Sequence, residues 1–142
     1  MKKYYGIISI CLVILISGCS SFNTAEAKTI IKNNINQYYN NLLLEDIDSV
    51  MKQISTDSVQ YYNLYDEYRD TFDNYNYSYN IKELSFKKTT SESIVVDVLV
   101  DVSGTDKSDK FNEFKEVQTF TFKPTGNKIW KLTSVDTVFD IK

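Results

Sequence analysis

Near Asn74 the spacing of the apolar residues changes from a helical period to strict alternation, and that switch divides the chain into two kinds of structure. Before it, Ile31, Ile35, Tyr38 and Leu42 recur at i, i+4, i+7 and i+11, with Ile30, Tyr39 and Leu43 widening the stripe. This spacing predicts a helix over 24–44, opened by Asn23 with Glu26 three residues on, the pattern of a capping box. Asp46 is a natural N-cap for a short second helix carrying Ile47, Val50, Met51 and Ile54, expected to end near Ser55-Thr56. A third helix, capped by Asp57 or Ser58, is expected to bury Tyr61, Leu64, Tyr65, Tyr68 and Phe72.

After the switch, Tyr75, Tyr77, Tyr79 and Ile81 alternate with polar residues, as in a half-buried strand. Leu84 and Phe86 fall on the opposite parity, which predicts a bulge near Lys82-Glu83. Ile94, Val96, Val98, Val100 and Val102 mark the next strand, with Asp97 and Asp101 facing the other way. Ser103 to Lys110 reads as a polar hairpin loop, Phe111 to Lys123 as a third strand, and Pro124-Thr125-Gly126-Asn127 as a turn. A last strand carries Trp130 and Leu132 and continues toward Val138. Short hairpins imply an antiparallel sheet. The expected fold class is α+β, with N-terminal helices packed on a curved four-stranded antiparallel sheet.

The N-terminus has a different purpose. Met1-Lys2-Lys3 precedes an apolar run from Ile7 to Ile16, followed by Ser17-Gly18-Cys19. A positive start, a short apolar stretch and small residues at the end form a secretory signal, too short to span a bilayer. Ile16-Ser17-Gly18-Cys19 resembles the bacterial lipobox: an aliphatic residue, two small residues, then cysteine. The resemblance implies a diacylglyceryl group on the Cys19 sulfur and cleavage just before it. Cys11 lies inside the apolar run and is lost with the leader. The expected organisation is a signal peptide over 1–18, a lipidated tether over 19–23 and one domain over 24–142. The membrane is then a partner through the lipid at Cys19, and the protein sits on the extracytoplasmic face of the cell membrane. Loss of Lys2 and Lys3 takes the formal charge from −3 to −5. With Cys19 lipidated no thiol remains for a disulfide, so the fold rests on its hydrophobic core.

Residue usage is skewed: Ile, Asn, Lys and Tyr total 52 residues, whereas Ala, Gly, Pro and Arg total 8. The first group uses A/T-rich codons, which suggests a low-GC Gram-positive host and makes part of the tyrosine content a matter of codon bias.

The helix ending Tyr38-Tyr39-Asn40-Asn41-Leu42, the Leu44-Glu45-Asp46 break, the short second helix and the late strand Lys128-Ile129-Trp130-Lys131-Leu132 together resemble nuclear-transport-factor-2-like domains. Cystatin-like lipoproteins of Gram-positive bacteria, some carried on mobile elements, share the plan of a helix on a curved sheet but have fewer helices. The first resemblance implies a cone with an apolar cavity, and some members are isomerases or dehydratases. Isomerase chemistry needs a carboxylate base and a neutral hydrogen-bond donor facing one cavity. Asp97 and Asp101 alternate away from the valine face, so solvent-facing carboxylates are the expectation. The chain has no histidine, which removes the dehydratase residue along with histidine-based triad and zinc chemistry. No phosphate-cradling loop or nucleophile elbow is present. The Asp101 to Asp109 segment has calcium-type oxygen ligands without EF-hand spacing, and Lys107 and Lys110 flank its tip.

The reading is therefore a non-catalytic module with no cofactor and no metal, binding an envelope protein; by family analogy it fits an accessory or exclusion lipoprotein of a mobile element. Tyr62, Tyr75, Tyr77 and Tyr79 are the candidate partner surface, since tyrosine joins apolar area to a polar tip. Nucleic acid is disfavoured, because Asp66, Glu67, Asp70 and Asp73 surround a single Arg69. The alternative is a small apolar ligand in a pocket lined by Val96, Val98, Phe120 and Trp130, with an isomerase-like enzyme as a minor case. Trp130 is expected to be buried between the sheet and the first helix near Ile35 and Tyr38.

Overall fold

The computed structural model describes residues 21–141. The signal peptide expected over 1–18 and the expected lipidation site Cys19 lie outside the described residues. Three helices precede four strands: α1 (Thr24–Leu43), α2 (Ile47–Met51), α3 (Tyr61–Asn74), β1 (Tyr75–Thr89), β2 (Ile94–Asp106), β3 (Phe111–Gly126) and β4 (Ile129–Ile141). The strands form one antiparallel meander in the order β1-β2-β3-β4.

Of the expected capping box the Asn23 half forms, whereas the Glu26 carboxylate pairs with Lys128 at 2.7 Å. The Asn23 side chain accepts a hydrogen bond from the Glu26 amide at 3.1 Å. Replacing Asn23 by Ala is expected to cost about 1 kcal/mol in urea unfolding, because one orphan donor of the first turn loses its partner. Ile31, Ile35, Tyr38 and Leu42 are buried, the stripe that the spacing marked. Glu45 adopts a left-handed φ of 54° at the break between α1 and α2, and the Asp46 carboxylate accepts from the Ser49 amide at 3.0 Å.

α2 is shorter than expected. The Leu132 amide donates to the Gln53 carbonyl at 2.9 Å and the Ser55 amide donates to the Leu132 carbonyl at 2.7 Å, so Ile54 is drawn into a parallel bridge with β4. A strand partner thus takes the main-chain groups that would have continued the helix. α3 also begins later, after Gln60, with no side-chain cap. The Ser58 hydroxyl donates to the Thr133 carbonyl at 2.6 Å instead. Gln60 ties this corner to β4, donating to Asp136 at 2.9 Å and accepting from the Val135 amide at 3.0 Å. On α3 only Leu64 and Tyr68 are buried, while Tyr61 and Phe72 are half-buried and Tyr65 is 37% exposed. The helix lies on the rest of the molecule by a narrower stripe than its aromatic spacing suggested.

The bulge expected near Lys82-Glu83 is present as a register shift between Ile81 and Glu83. It restores Leu84 and Phe86 to the packed side. The strict alternation of β2 is matched by its burial: Ile94, Val96, Val98, Val100 and Val102 are buried. On the other face Asp97 pairs with Lys87 at 3.2 Å and Asp101 with Lys82 at 3.2 Å.

Two loop boundaries differ from expectation. β2 continues through Ser103 to Asp106, because Gly104 and its neighbours pair with Tyr75–Ser78 of β1. The tip is tied by Asp106, whose carboxylate accepts from the Ser108 hydroxyl at 2.6 Å and the Lys110 amide at 3.0 Å. These bonds hold its carboxyl below the usual range. The second turn is tighter than expected: β3 runs through Pro124 to Gly126, leaving Asn127 and Lys128 at the tip.

Candidate functional site

Two surfaces bring together residues with the chemistry to bind something. The first is a groove of about 510 Å³ between α2, the following loop and the start of α3, bordered by Met51, Ile54, Tyr61, Tyr65 and Lys131. Tyr61 packs edge-on against Tyr62, with ring centroids 5.5 Å apart. Tyr62 is 80% exposed and Val59 96% exposed. Both are exposed apolar residues at the start of α3, and neither lines the groove.

The second is a recess of about 120 Å³ at the far end of the helix–sheet interface, bordered by Tyr38, Tyr68, Tyr77, Tyr79, Phe114, Glu116 and Gln118, with Glu67 and Thr71 on α3. The hydroxyls of Tyr38 and Tyr68 hydrogen-bond to one another. The Tyr39 hydroxyl donates to the Gln118 side-chain carbonyl at 2.7 Å, and the Gln118 amide donates to the Glu116 carboxylate at 2.8 Å. Burial is the main reason that Tyr38, Tyr39, Tyr68 and Tyr79 hold their protons far more tightly than free phenols. For Tyr39 and Tyr79 the Glu116 carboxylate adds to that effect.

The four candidate tyrosines separate into these two places. Tyr62 does not line the groove and reaches it only through its contact with Tyr61. Tyr77 and Tyr79 border the recess, where Tyr77 meets Phe114 edge-on at 5.7 Å and Tyr79 meets Tyr39 at 5.7 Å. Tyr75 stacks on Tyr77 at 4.9 Å. Because Tyr77 and Tyr79 pack against the core cluster, they contribute to folding as well as to any surface.

Val96, Val98 and Phe120 have no exposed area and sit inside packed core. They border neither surface. Trp130 is 8% exposed, against Phe22 at a centroid distance of 6.2 Å. It shares a depression of about 330 Å³ with Ala27 and Ile30, and its carbonyl accepts from the Asn34 side-chain amide at 3.4 Å. The indole therefore lies toward the N-terminal end of α1 from the Ile35–Tyr38 level expected. Trp130→Ala should destabilise the domain by about 3 kcal/mol, the low end for a buried aromatic, because that depression already admits water. Urea unfolding measures the loss, and native Trp130 emission should be blue-shifted and move red on unfolding.

Sequence reasoning missed Glu116, Gln118 and Val59. A signal for the first two was present: they fall in phase with Phe114, Phe120 and Phe122, so they point to the core side of an apolar strand. Val59 carried no signal, since loop valines are common. Among the described residues no group of three or more acidic or cysteine side chains is placed to hold a metal ion, and no helix is long and apolar enough to cross a membrane.

The profile of the anti-sigma-I factor RsgI9 C-terminal domain matches residues 29–142. The chain belongs to that family. No curated protein matches the sequence. Among solved structures, one named as an aromatic ring hydroxylase from Novosphingobium aromaticivorans is similar, with a TM-score of 0.73 at 14% identity over 85% of this chain and 95% of that one. A nuclear transport factor 2-like superfamily protein from Salmonella enterica serovar Typhimurium gives a TM-score of 0.72 at 12% identity, over 84% of this chain and 95% of that one. A ketosteroid isomerase-like protein from Erwinia carotovora atroseptica gives 0.65 at 16% identity, over 83% and 99%. At these identities the likeness shows the fold alone. The RsgI9 C-terminal family member described here has a nuclear-transport-factor-2-like fold, the first of the two resemblances, and its three helices before the sheet agree with that choice.

Proposed function

We propose that this protein is a lipid-anchored extracytoplasmic module that binds a protein partner at the cell envelope and carries out no catalysis. The observation that carries the binding reading is the filled core. Val96, Val98 and Phe120, at the centre of the concave face, have no exposed area. The recess at the far end of the helix–sheet interface is about 120 Å³, below the roughly 300–1,000 Å³ of pockets for drug-sized ligands. Ligand-sized space lies outside the packed core, in the groove of about 510 Å³ and in the depression of about 330 Å³ at Trp130, whereas Val59 and Tyr62 offer exposed apolar area at the start of α3. The family takes its name from the C-terminal domain of an anti-sigma-I factor, which fits a binding role.

The anchoring reading rests on Ile16-Ser17-Gly18-Cys19 and the charged, apolar leader before it. Two acyl chains hold a protein at a bilayer where one is marginal. Metabolic labelling with a fatty-acid analogue tests it: label is expected on the wild-type chain, and label persisting in Cys19→Ala overturns it. The binding reading is tested by co-purification from native membranes. A stoichiometric partner is expected with the wild type and lost with Val59→Ser/Tyr62→Ser at unchanged stability; retention by the double variant contradicts the assignment of this corner.

A further inference from the structure

The depression at Trp130 lies where the tether enters the domain. Phe22, Ala27, Ile30, Pro124 and Trp130 give it apolar walls, and Ser21, the first described residue, borders it as well. Phe22 precedes the Asn23 cap and Ala27 is the fourth residue of α1, the two positions that make a hydrophobic staple. A staple fixes the angle at which the chain enters a helix. The Phe22 ring also meets the Trp130 ring at 6.2 Å. The chain therefore leaves the domain at this depression and at no other face.

The distance from here to the expected lipid is short. Three residue steps separate Cys19 from Phe22, and fully extended they cover about 11 Å. The polar layer on each side of a bilayer is about 5–8 Å deep. A domain held on that length of chain does not stand clear of the headgroups, so the face that carries Phe22 meets them. Its chemistry suits the contact. Among the described residues that border the depression only Glu26 and Lys128 are charged, and they pair with each other at 2.7 Å. Phe22 is 37% exposed, and Ile129, next to the β3–β4 tip, is 54% exposed. Single exposed apolar residues are ordinary on a protein surface, and Leu43, Leu44 and Val59 are others here. Phe22 differs from those in being tied within reach of lipid. Tethering makes its contact intramolecular, so even a weak attraction is well populated.

We propose that this depression and the hairpin tip beside it form a membrane-docking face, which lies on the lipid surface around Cys19 with Phe22 in the headgroup layer. The inference rests on the anchored reading. The occupant is the bilayer rather than the protein's own acyl chains, because those chains keep more apolar surroundings in the membrane than in a depression that water enters.

Trp130 is the single tryptophan, so its emission reads this face alone. The full mature chain is purified from native membranes, its Cys19 modification is read by mass spectrometry, and it is reconstituted in phosphatidylcholine vesicles with and without a nitroxide on the headgroup. The nitroxide is expected to remove about half of the Trp130 emission. A flexible Gly/Ser insert of about twelve residues between Ser20 and Ser21 adds about 20 Å of reach. Quenching is expected to persist in that chain, because the face holds itself to the lipid, and to fall severalfold when Phe22→Asp is added to it. Each value is a ratio between labelled and unlabelled vesicles for one chain, so a change in the intrinsic yield of Trp130 cancels. Quenching lost on insertion alone overturns the proposal, since tether length would then be the only cause of proximity. A lipidated wild type without quenching overturns it too, while leaving the anchored reading intact. A chain that carries no lipid at Cys19 overturns the anchored reading and this inference with it. All three of those outcomes are read on chains whose folded domain is unaltered.

Discussion

Raising the pH above about 10, the ordinary phenol value, is expected to unfold this domain cooperatively. Tyr38, Tyr39 and Tyr68 are 2%, 4% and 7% exposed. Burial, reinforced for Tyr38 by its neighbour Tyr68 and for Tyr39 by Glu116, raises all three well above the ordinary phenol value. The sign follows from proton counting. Between the unfolded and folded values, the unfolded chain sheds these protons and the folded one keeps them, so stability is complete below pH about 10 and falls as pH rises. Each group contributes about 1.4 kcal/mol per pH unit, so the three together remove about 4 kcal/mol for each pH unit above about 10 over which the folded chain keeps them protonated. A domain holding about 5–15 kcal/mol then unfolds near that range. Far-ultraviolet circular dichroism and phenolate absorbance should change together in one steep transition. Gradual phenolate formation with an ordinary midpoint and intact dichroism would show that these hydroxyls are not buried.

Gly104→Ala is expected to cost about 4 kcal/mol or more, among the larger single-residue effects. In most positions replacing glycine by alanine is neutral or stabilises slightly, by restricting the unfolded chain. Here a Cβ would stand 2.0 Å from the Asn76 carbonyl oxygen and 2.9 Å from the Tyr77 Cα. Both are main-chain atoms of the paired strand, so no side-chain rotation relieves the clash. The β1–β2 ladder must open where Gly104 pairs with Tyr77, which also moves a wall of the tyrosine recess. Urea unfolding measures the loss. A variant within about 1 kcal/mol of the wild type would mean that the two strands are not this close.

The legible parts of the fold were those set by local pattern. The Ile31–Leu42 stripe, the Asn23 and Asp46 caps, the alternation of β2 and the bulge at Ile81–Glu83 all follow from side-chain spacing or short-range hydrogen bonds, which a sequence states directly. What escaped was decided by groups distant in sequence. α2 stops because Leu132 takes the main chain of Gln53 and Ser55. The Ser103–Asp106 segment is strand rather than loop because Gly104 lets β1 approach. Tyr65 shares the spacing of a core residue, but α3 contacts the domain over too narrow a strip to cover it. The candidate site divides in the same way. The tyrosines stood out by number, yet only the tertiary fold sends Tyr62 to one surface and Tyr77 and Tyr79 to another. Glu116 and Gln118 were readable from parity alone, as polar residues on the inward side of a phenylalanine-rich strand.

The most direct test of the central claim, a tethered module that presents a protein-binding corner, is site-specific photocrosslinking in native membranes. A photoreactive side chain is placed at Tyr62, and a control at Lys87 on the outer face of the sheet. The account predicts one discrete adduct with a different protein from position 62, outcompeted by unmodified chain, and none from position 87. No adduct from position 62, or the same diffuse pattern from both, would contradict it.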